Sequence, residues 1–542
     1  MLKNVFNIIA ILLSIIAISV FCFTEYFISI IAYYKNADSN FVIYGYPKRI
    51  LWANELEWYA IITLITLILV VLFSNYKLRK SIVNKKLTKY FIFFIYILTV
   101  LITIHNHEPW TDEAHAWLLA KEFTFSNFFT LTQYEIMPPL WLIILIPIAK
   151  LGLTYAVMNY LNGIIVIIGM GFFFLRSHLC FKIRTLILFS YPFLFEYPII
   201  ARTYGIALLL LFIISSVYNY RLRRPLLFSF LLGMLSMTNV FMIFPALLLG
   251  IYFIAEIVIN QLSKIKIITN ALFFFISFFI SVYSVMIPKD SIYSGYFVHS
   301  TIENILCFLT SYYIHMPNIA TINIVILIPF SIIGLSIFVF IVSRINLLFF
   351  KLFLILSFLW FFYIISFRYG GDLRHYLLFF VIIISTLWIA KQNGALNFKI
   401  NNFVFTILMT VSAYFGLHSV YNDIKYDFCG SKRFANYINK NNIQKDKFYC
   451  IGGQVICAVM PYMPQTKFVF LSDLKEHSYI KRNYEWTRNK NEYYNLQTIL
   501  KKDDLIISNV LLDSTKYLVK LKYHSNKMVF ERGSYFWLYQ KL

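Results

Sequence analysis

From residue 5 to residue 420 one apolar run follows another, most of them close to the length a helix needs to cross a bilayer. A crossing takes about 20 apolar residues, somewhat fewer where helices tilt or the membrane thins. The runs lie near 5–23, 58–75, 90–104, 139–152, 154–175, 185–199, 203–219, 226–240, 241–259, 268–287, 323–343, 352–367, 377–390 and 400–420. Composition agrees with that pattern. Sixty per cent of the residues are hydrophobic and 13% are charged, against roughly 25% charged in soluble chains. Mean hydropathy is +0.70, and 56 Phe with 40 Tyr add large apolar area. No soluble globule of this size hides so much apolar surface. Soluble enzymes, nucleic-acid binders, disordered chains and collagen-like chains are excluded, leaving a polytopic α-helical membrane protein.

The net charge of +23 would suggest nucleic acid only if its distribution were ignored. Much of the excess sits in short loops between apolar runs, at Lys77 to Lys89, Arg221 to Arg224 and Lys264 to Lys266. Such loops mark the cytoplasmic side, so the charge records topology and no nucleic-acid partner is expected. With 76–89 inside, the N-terminus is inside and 105–138 outside. The basic stretch Arg176 to Arg184 must then be inside, so the two runs between 139 and 175 cross an odd number of times. One of them, 139–152 by its shortness, is expected to be a partial helix. Alternation onward puts 288–322 and 368–376 outside, 343–351 and 391–399 inside, and the tail outside. About 13 spans plus a partial helix fit every basic loop. Lys3 followed by an apolar run resembles a signal peptide, but no small-residue cleavage site follows, and an uncleaved first span is expected.

Three regions follow: residues 1–89, with two spans and a basic cytoplasmic loop; 90–421, a transmembrane module with the external loop 105–138; and 422–542, a charged tail with no spanning segment. The tail reads as an α/β domain. Strand-like runs at Lys447 to Gly452, Lys467 to Leu471, Asp504 to Ser508, Met528 to Glu531 and Tyr535 to Tyr539 alternate with helical stretches near 432–442, 453–463 and 491–502. Six cysteines show no metal-ligand spacing; Cys450 and Cys457 are a candidate pair in an oxidising compartment.

The loop that opens His105-Asn-His107-Glu-Pro-Trp-Thr-Asp112-Glu113-Ala-His115 gathers three acids and three histidines into eleven residues of a chain where acids are scarce. Adjacent carboxylates at a membrane surface repel and cost solvation unless something uses them. A carboxylate here can take a proton from an attacking hydroxyl. With His105, His107 or His115 it can instead hold a divalent cation; the other reading of the three imidazoles is structural. Glu196, Arg202 and Tyr204 stand at the external end of apolar runs, where ionisable groups pair or line a polar cavity. Arg368, Arg374 and His375 share a second external turn. Guanidinium forks match phosphate oxygens, although an Arg at a span end also serves as a snorkelling cap. A carboxylate for an acceptor and arginines for a phosphate together outline a site for a phosphorylated lipid.

In their order, these motifs resemble the membrane-embedded GT-C glycosyltransferases, in particular the branch that includes protein O-mannosyltransferases and the lipid A aminoarabinose transferase. The resemblance rests on Asp112-Glu113-Ala114 in the first large external loop and Pro138-Pro139-Leu140 at the next helix. Ala201-Arg202-Thr203-Tyr204 and the late Arg374-His375 complete it. It spans residues 90–390 or so, and Glu108-Pro109-Trp110-Thr111-Asp112-Glu113-Ala114 is similar to a bacterial subgroup with a trailing α/β domain.

The resemblance implies transfer of a sugar from a polyprenyl-phosphate carrier, with inversion, to a glycolipid, lipopolysaccharide, polysaccharide or protein. The reaction would run on the outer face of the bacterial cytoplasmic membrane. Asp112 falls at the family's catalytic base, with Glu113 beside it. Glu196, Arg202, Tyr204, Arg368, Arg374 and His375 would bind substrate. Metal dependence varies across the fold, so a divalent metal is a possible, not a required, cofactor. The competing readings are a transporter or flippase of lipid-linked glycans and a glycan polymerase or ligase. A transporter would carry its ionisable residues near the midplane, whereas here they gather on one face.

Overall fold

Among the described residues of the computed structural model, seven helices are long and apolar enough to cross a membrane. They are Leu87–Asn106, Val157–Arg176, Val240–Ile259, Lys264–Ser284, Ile324–Ser343, Leu348–Phe367 and Leu373–Gln392. At 1.5 Å per residue each is roughly 30 Å long, the thickness of the hydrocarbon layer. The structure describes residues 85–294, 301–317, 323–396, 402–443, 446–483, 492–524 and 536–542, with two short strands at Val42–Ile43 and Tyr46–Pro47. The spans expected at 5–23 and 58–75, most of the basic loop after them, and the strand expected at Met528 to Glu531 lie outside the described residues.

Shorter apolar helices fill out the bundle. Leu140–Lys150 has 11 residues, about 16 Å, too short to cross, as its run suggested. Tyr204–Val217 runs into a 3-10 turn at Tyr218–Tyr220, and Pro225–Ser236 opens on a proline whose missing N–H costs nothing in a first turn. Leu373–Gln392 is the central helix. It is buried from His375 to Ala390, which its all-round apolar sequence permits.

The run 185–199 departs most from a simple span. It is helical at Phe181–Leu188, passes into a π-helix at Pro192–Glu196 and closes with Tyr197–Ile199. Pro192 and Pro198 bring no backbone N–H, so a regular ladder cannot run through. Irregular backbone at membrane depth must be satisfied by protein, and side chains do that here. The Asn162 amide donates to the carbonyls of Tyr197, Pro198 and Ile200 at 2.8, 3.2 and 3.3 Å, and the Tyr96 hydroxyl donates to that of Phe193 at 2.7 Å. The Tyr191 N–H donates to Ser412 Oγ at 3.2 Å. This braced break carries the chain to Ala201 and Arg202.

Two stretches read as loops are partly helical. Residues 105–138 contain Thr111–Glu122 and Phe128–Glu135. The first has Asp112 and Glu113 in its opening turn, where acids complement the helix dipole. Residues 288–322 contain Ile302–Ser311, which buries Cys307, Phe308, Thr310 and Ser311. It lies so close to Ile324–Ser343 that a Cβ at Gly334 would collide with the Leu309 carbonyl.

After the helix Asn402–Lys425 the chain enters a mixed sheet. Strand order is Lys475–Glu476, Lys467–Phe470, Lys447–Ile451, Leu505–Ser508, Trp537–Lys541, Val519–His524. Lys447–Ile451 pairs in parallel with Lys467–Phe470 and Leu505–Ser508; the remaining pairs are antiparallel. The strand Val519–His524 is not among the expected runs, although its alternation of Lys with apolar residues fits a half-buried strand. The helix expected at 453–463 is a pair of 3-10 turns, Gly453–Ala458 and Met460–Tyr462, and Glu492–Thr498 is shorter than expected. Cys450 and Cys457 are buried free thiols. One face of the sheet packs with Ser431–Lys440 around Phe434, Phe448, Phe468, Phe470 and Leu538, and this core includes Leu118 of the helix Thr111–Glu122. The domain is therefore seated on the segment that carries the acid pair.

Candidate active site

Four segments distant in sequence meet at one end of the bundle: the start of Thr111–Glu122, the turn before Tyr204–Val217, the start of Leu373–Gln392 and residues 479–483 of the C-terminal domain. At their centre is Asp112, its side chain 24% exposed. Its Oδ2 is 3.7 Å from Arg202 Nη2 and 3.8 Å from Arg374 Nη2, and its Oδ1 is 3.8 Å from Arg482 Nη2. Arg202 Nη1 also donates to the Asp112 backbone carbonyl at 2.9 Å. Burial pushes the carboxyl up, but Arg202, Arg374 and Arg482 outweigh it and hold Asp112 well below the usual carboxylate range. Asp112 is ionised at any physiological pH. None of its three contacts with guanidinium is as short as the 2.7–2.9 Å of a closed charge-assisted bond, so all three remain open to another anion.

Arg374 is held from behind. Arg374 Nη2 is 3.0 Å from Asp372 Oδ2, and its guanidinium lies 4.5 Å from the Trp110 ring centroid, a cation–π contact. Its backbone carbonyl accepts from the Tyr197 hydroxyl at 3.1 Å. The next residue, His375, accepts the Asp372 N–H on Nδ1 at 2.9 Å. Its proton therefore sits on Nε2, 2.9 Å from the Tyr204 hydroxyl. Tyr204 and His375 thus form a fixed pair beneath the arginines.

The neighbouring acid has a different environment. Glu113 is fully buried, and both its oxygens are occupied. Oε1 accepts from the Ala201 N–H at 2.7 Å and from Asn159 Nδ2 at 2.8 Å. Oε2 accepts from the Trp110 N–H at 3.1 Å and faces His107 Nε2 at 3.4 Å. His107 Nδ1 in turn lies 3.0 Å from both oxygens of Asp423. Burial pushes this imidazole down, yet Asp423 and Glu113 together raise it to about 10, so it stands as an imidazolium between two carboxylates. Through this chain Glu113 ties the acid loop to the Ala201-Arg202 turn and to the end of Asn402–Lys425.

The third acid, Glu108, joins the domains. Its Oε2 accepts from the N–H groups of Cys429 and Gly430 at 3.2 and 2.7 Å; Oε1 accepts from Ser431 Oγ at 3.0 Å and from the Lys432 N–H. A carboxylate from one domain thereby caps Ser431–Lys440 of the other, where N–H groups lack intrahelical partners and the dipole favours negative charge.

The remaining expected residues do not reach Asp112, although Glu196 lies within electrostatic reach of Arg374. Glu196 is buried and accepts from the Tyr191 hydroxyl at 2.5 Å. Arg368 is exposed and donates from Nε to the Tyr363 hydroxyl at 3.1 Å; the structure does not bring it to Asp112. Nor do the histidines converge on a cation site. His105 lies against Tyr160 (3.2 Å), His107 between its carboxylates, and His115 against Glu135 (2.8 Å). Among the described residues no group of three or more His, Cys, Asp or Glu is arranged to hold a metal ion.

Sequence reading missed Arg482, Glu135 and Tyr293. Arg482 Nε is 3.3 Å from Glu135 Oε1, and Nη1 donates to the Tyr293 hydroxyl at 2.6 Å. Burial opposes ionisation of Glu135, but Arg482 and His115 prevail and keep its pKa low. The scarcity of acids was a signal for Glu135, which lies in the same segment as Asp112. No local pattern distinguishes Arg482 within the lysine-rich tail.

No family model matches this sequence, and no curated protein does. Among solved structures the chain is similar to the crystal structure of ArnT from Cupriavidus metallidurans bound to undecaprenyl phosphate. The TM-score is 0.48 at 10% sequence identity, over 84% of this chain and 98% of that one.

Proposed function

We propose that the protein is a membrane glycosyltransferase that moves a sugar from a polyprenyl-phosphate carrier to an acceptor on the outer face of the bacterial cytoplasmic membrane. The observation that carries this reading is the meeting of one partly exposed carboxylate, Asp112, with guanidiniums from distant segments, Arg202 and Arg374. The order of the motifs along the chain supports it independently.

In this reading Arg202 and Arg374 take the phosphate oxygens of the donor, for which their planar forks are shaped. Once engaged there, they release Asp112, whose basicity rises as its cations turn to the phosphate. An acceptor hydroxyl then attacks the anomeric carbon from the face opposite the phosphate. A carbon–oxygen bond forms, the hydroxyl proton passes to an Asp112 carboxylate oxygen, and the carbon–phosphate-oxygen bond breaks. The electron pair leaves with the polyprenyl phosphate, and the arginines neutralise the charge that grows on it. Phosphate is already a good leaving group, so positioning and electrostatics supply most of the acceleration.

Glu113 acts in this scheme as a positioning residue that fixes the backbone on both sides of Asp112 and Arg202. The Tyr204–His375 pair buttresses the arginines. The test is mass spectrometry of envelope glycans and glycoproteins from cells with and without the protein. A difference of one sugar residue on one class of molecule identifies donor and acceptor together. Unchanged glycans on every class would overturn the assignment.

A further inference from the structure

The C-terminal domain does more than sit on the bundle. Its residues 479–483 form a strap along the end of the bundle where Asp112 lies. The Arg482 carbonyl accepts the Ile292 N–H at 3.1 Å, and Asn483 forms a β-bridge with Ser291. The Lys481 ammonium stands 4.3 Å from the centroid of the Tyr134 ring. The strap delivers one guanidinium to a point 3.8 Å from Asp112 Oδ1, across the carboxylate from Arg202 and Arg374 on Oδ2. Three cations from three parts of the chain therefore stand within 3.8 Å of a single carboxylate group.

Two of them hold unspent donors. The Nε–H groups of Arg202 and Arg482 are buried without a hydrogen-bond partner; the Glu135 carboxylate lies near the latter but off its donor line. A buried guanidinium N–H without an acceptor costs free energy that an arriving oxyanion would recover. Arg482 is kept in place by the Tyr293 hydroxyl on Nη1, which leaves Nε and Nη2 facing the carboxylates. All three side chains keep some exposure, from 12% for Arg374 to 20% for Arg202, so the cluster is open to a ligand.

We propose that Arg482 is the third ligand of the phosphate group of the lipid donor, supplied to the site by the C-terminal domain. A phosphate has more than two oxygens to satisfy, and a third guanidinium opposite the first two closes the cradle. The site is then complete only while the domain is docked. This extends the transferase reading and rests on it.

The experiment measures binding of a polyprenyl monophosphate to the full-length protein in detergent micelles, by quenching of tryptophan fluorescence. Trp110 lies against Arg374 and reports on the site. The parallel arms are the free polyprenol of the same length and inorganic phosphate. Arg482→Gln is expected to weaken monophosphate binding by about ten- to a hundred-fold, the loss of one or more bonds to a charged group, and to leave polyprenol binding unchanged. Arg482→Lys, which keeps the charge but not the fork, should fall between the two. Arg433→Gln, whose guanidinium pairs with Asp427 elsewhere in the domain, should bind as the native protein does.

Tyr293→Phe separates docking from ligation. It removes the hydroxyl outside the strap that holds Arg482 and leaves the guanidinium present, so it should weaken binding much less than Arg482→Gln. Equal weakening by the two would reduce Arg482 to a docking residue and overturn the proposal. So would native affinity in Arg482→Gln. If the native protein binds the monophosphate no better than the polyprenol, the donor assignment itself falls. Preference for inorganic phosphate over the lipid monophosphate would assign the cradle to a soluble anion and overturn the proposal.

Discussion

Arg202 holds Asp112 at two points: its Nη1 donates to the Asp112 backbone carbonyl at 2.9 Å, while its Nη2 stands 3.7 Å from the carboxylate. One side chain thus sets both where the acid's backbone lies and what charge its carboxylate feels. Lysine has a single ammonium and cannot occupy both places. Arg202→Lys is therefore expected to lower the turnover of sugar transfer by about 10²–10³-fold, the usual cost of losing one organised electrostatic contact. Thermal unfolding should change little. A variant with near-native turnover would remove Arg202 from the site.

Asp112→Asn keeps the shape and removes the charge. Transfer should fall by about 10²–10⁴-fold, the contribution of a positioned base. Affinity for a polyprenyl monophosphate should hold or rise, because the native carboxylate competes with the phosphate for the same guanidiniums. Parallel binding and turnover measurements separate the two effects. A transporter would show no transfer to lose, and weakened monophosphate binding would place Asp112 among the ligands of the donor.

Glu113→Gln should act on stability first. The native carboxylate accepts from Ala201, Trp110 and Asn159 and faces the His107 imidazolium; an amide turns an N–H₂ toward some of these donors. Breaking a buried charge network in this way costs about 3–5 kcal/mol, read as a lowered thermal unfolding midpoint in detergent. An unchanged midpoint with abolished transfer would give Glu113 a chemical role in place of the positioning one.

Much of the site was legible because span ends bring distant residues to one face of a membrane protein. Once 105–138, 368–376 and the run end that carries Arg202 were read to one side, Asp112, Arg202 and Arg374 became neighbours by topology. The division of labour between Asp112 and Glu113 also follows from geometry, since successive helical residues point about 100° apart. Asp112 and Glu113, adjacent on Thr111–Glu122, therefore face different surroundings. Arg482 was not legible, because its position depends on how one domain docks on another. That docking rests on Glu108, Leu118 and the Ser291–Asn483 bridge, none of which has a periodic signature. The break at Pro192 was not read: 185–199 counted as an ordinary run, and the residue that buttresses the break, Asn162, lies on another helix.

Glu108→Ala should loosen that docking selectively. The variant leaves the N–H groups of Cys429, Gly430 and Lys432 without their carboxylate. Loss of a helix cap costs about 0.5–2 kcal/mol. Amide hydrogen exchange at residues 429–434 should accelerate while the sheet at Lys447–Ile451 stays protected. Faster exchange throughout the sheet would mean that Glu108 stabilises the domain's own fold and not its attachment.

His107 gives the protein a pH-dependent stability of definite sign. Its imidazolium lies between Asp423 and Glu113, and its folded pKa is about 10 against 6.5 for a free imidazole. A group whose pKa is raised on folding stabilises the native state fully below the unfolded value, and that stability is lost as pH climbs through the folded one. Unfolding midpoints should therefore fall steadily from about pH 7 toward pH 10, a decline that begins well below the range where lysines and tyrosines with ordinary pKa values deprotonate. His107→Gln keeps a donor toward Asp423 but carries no titratable charge. It should lower stability at pH 6 and flatten the decline above pH 7, so that the two curves converge near pH 10. Parallel curves for the two proteins across that range would show that His107 is neutral in the native state and that the Glu113–Asp423 bridge is held some other way.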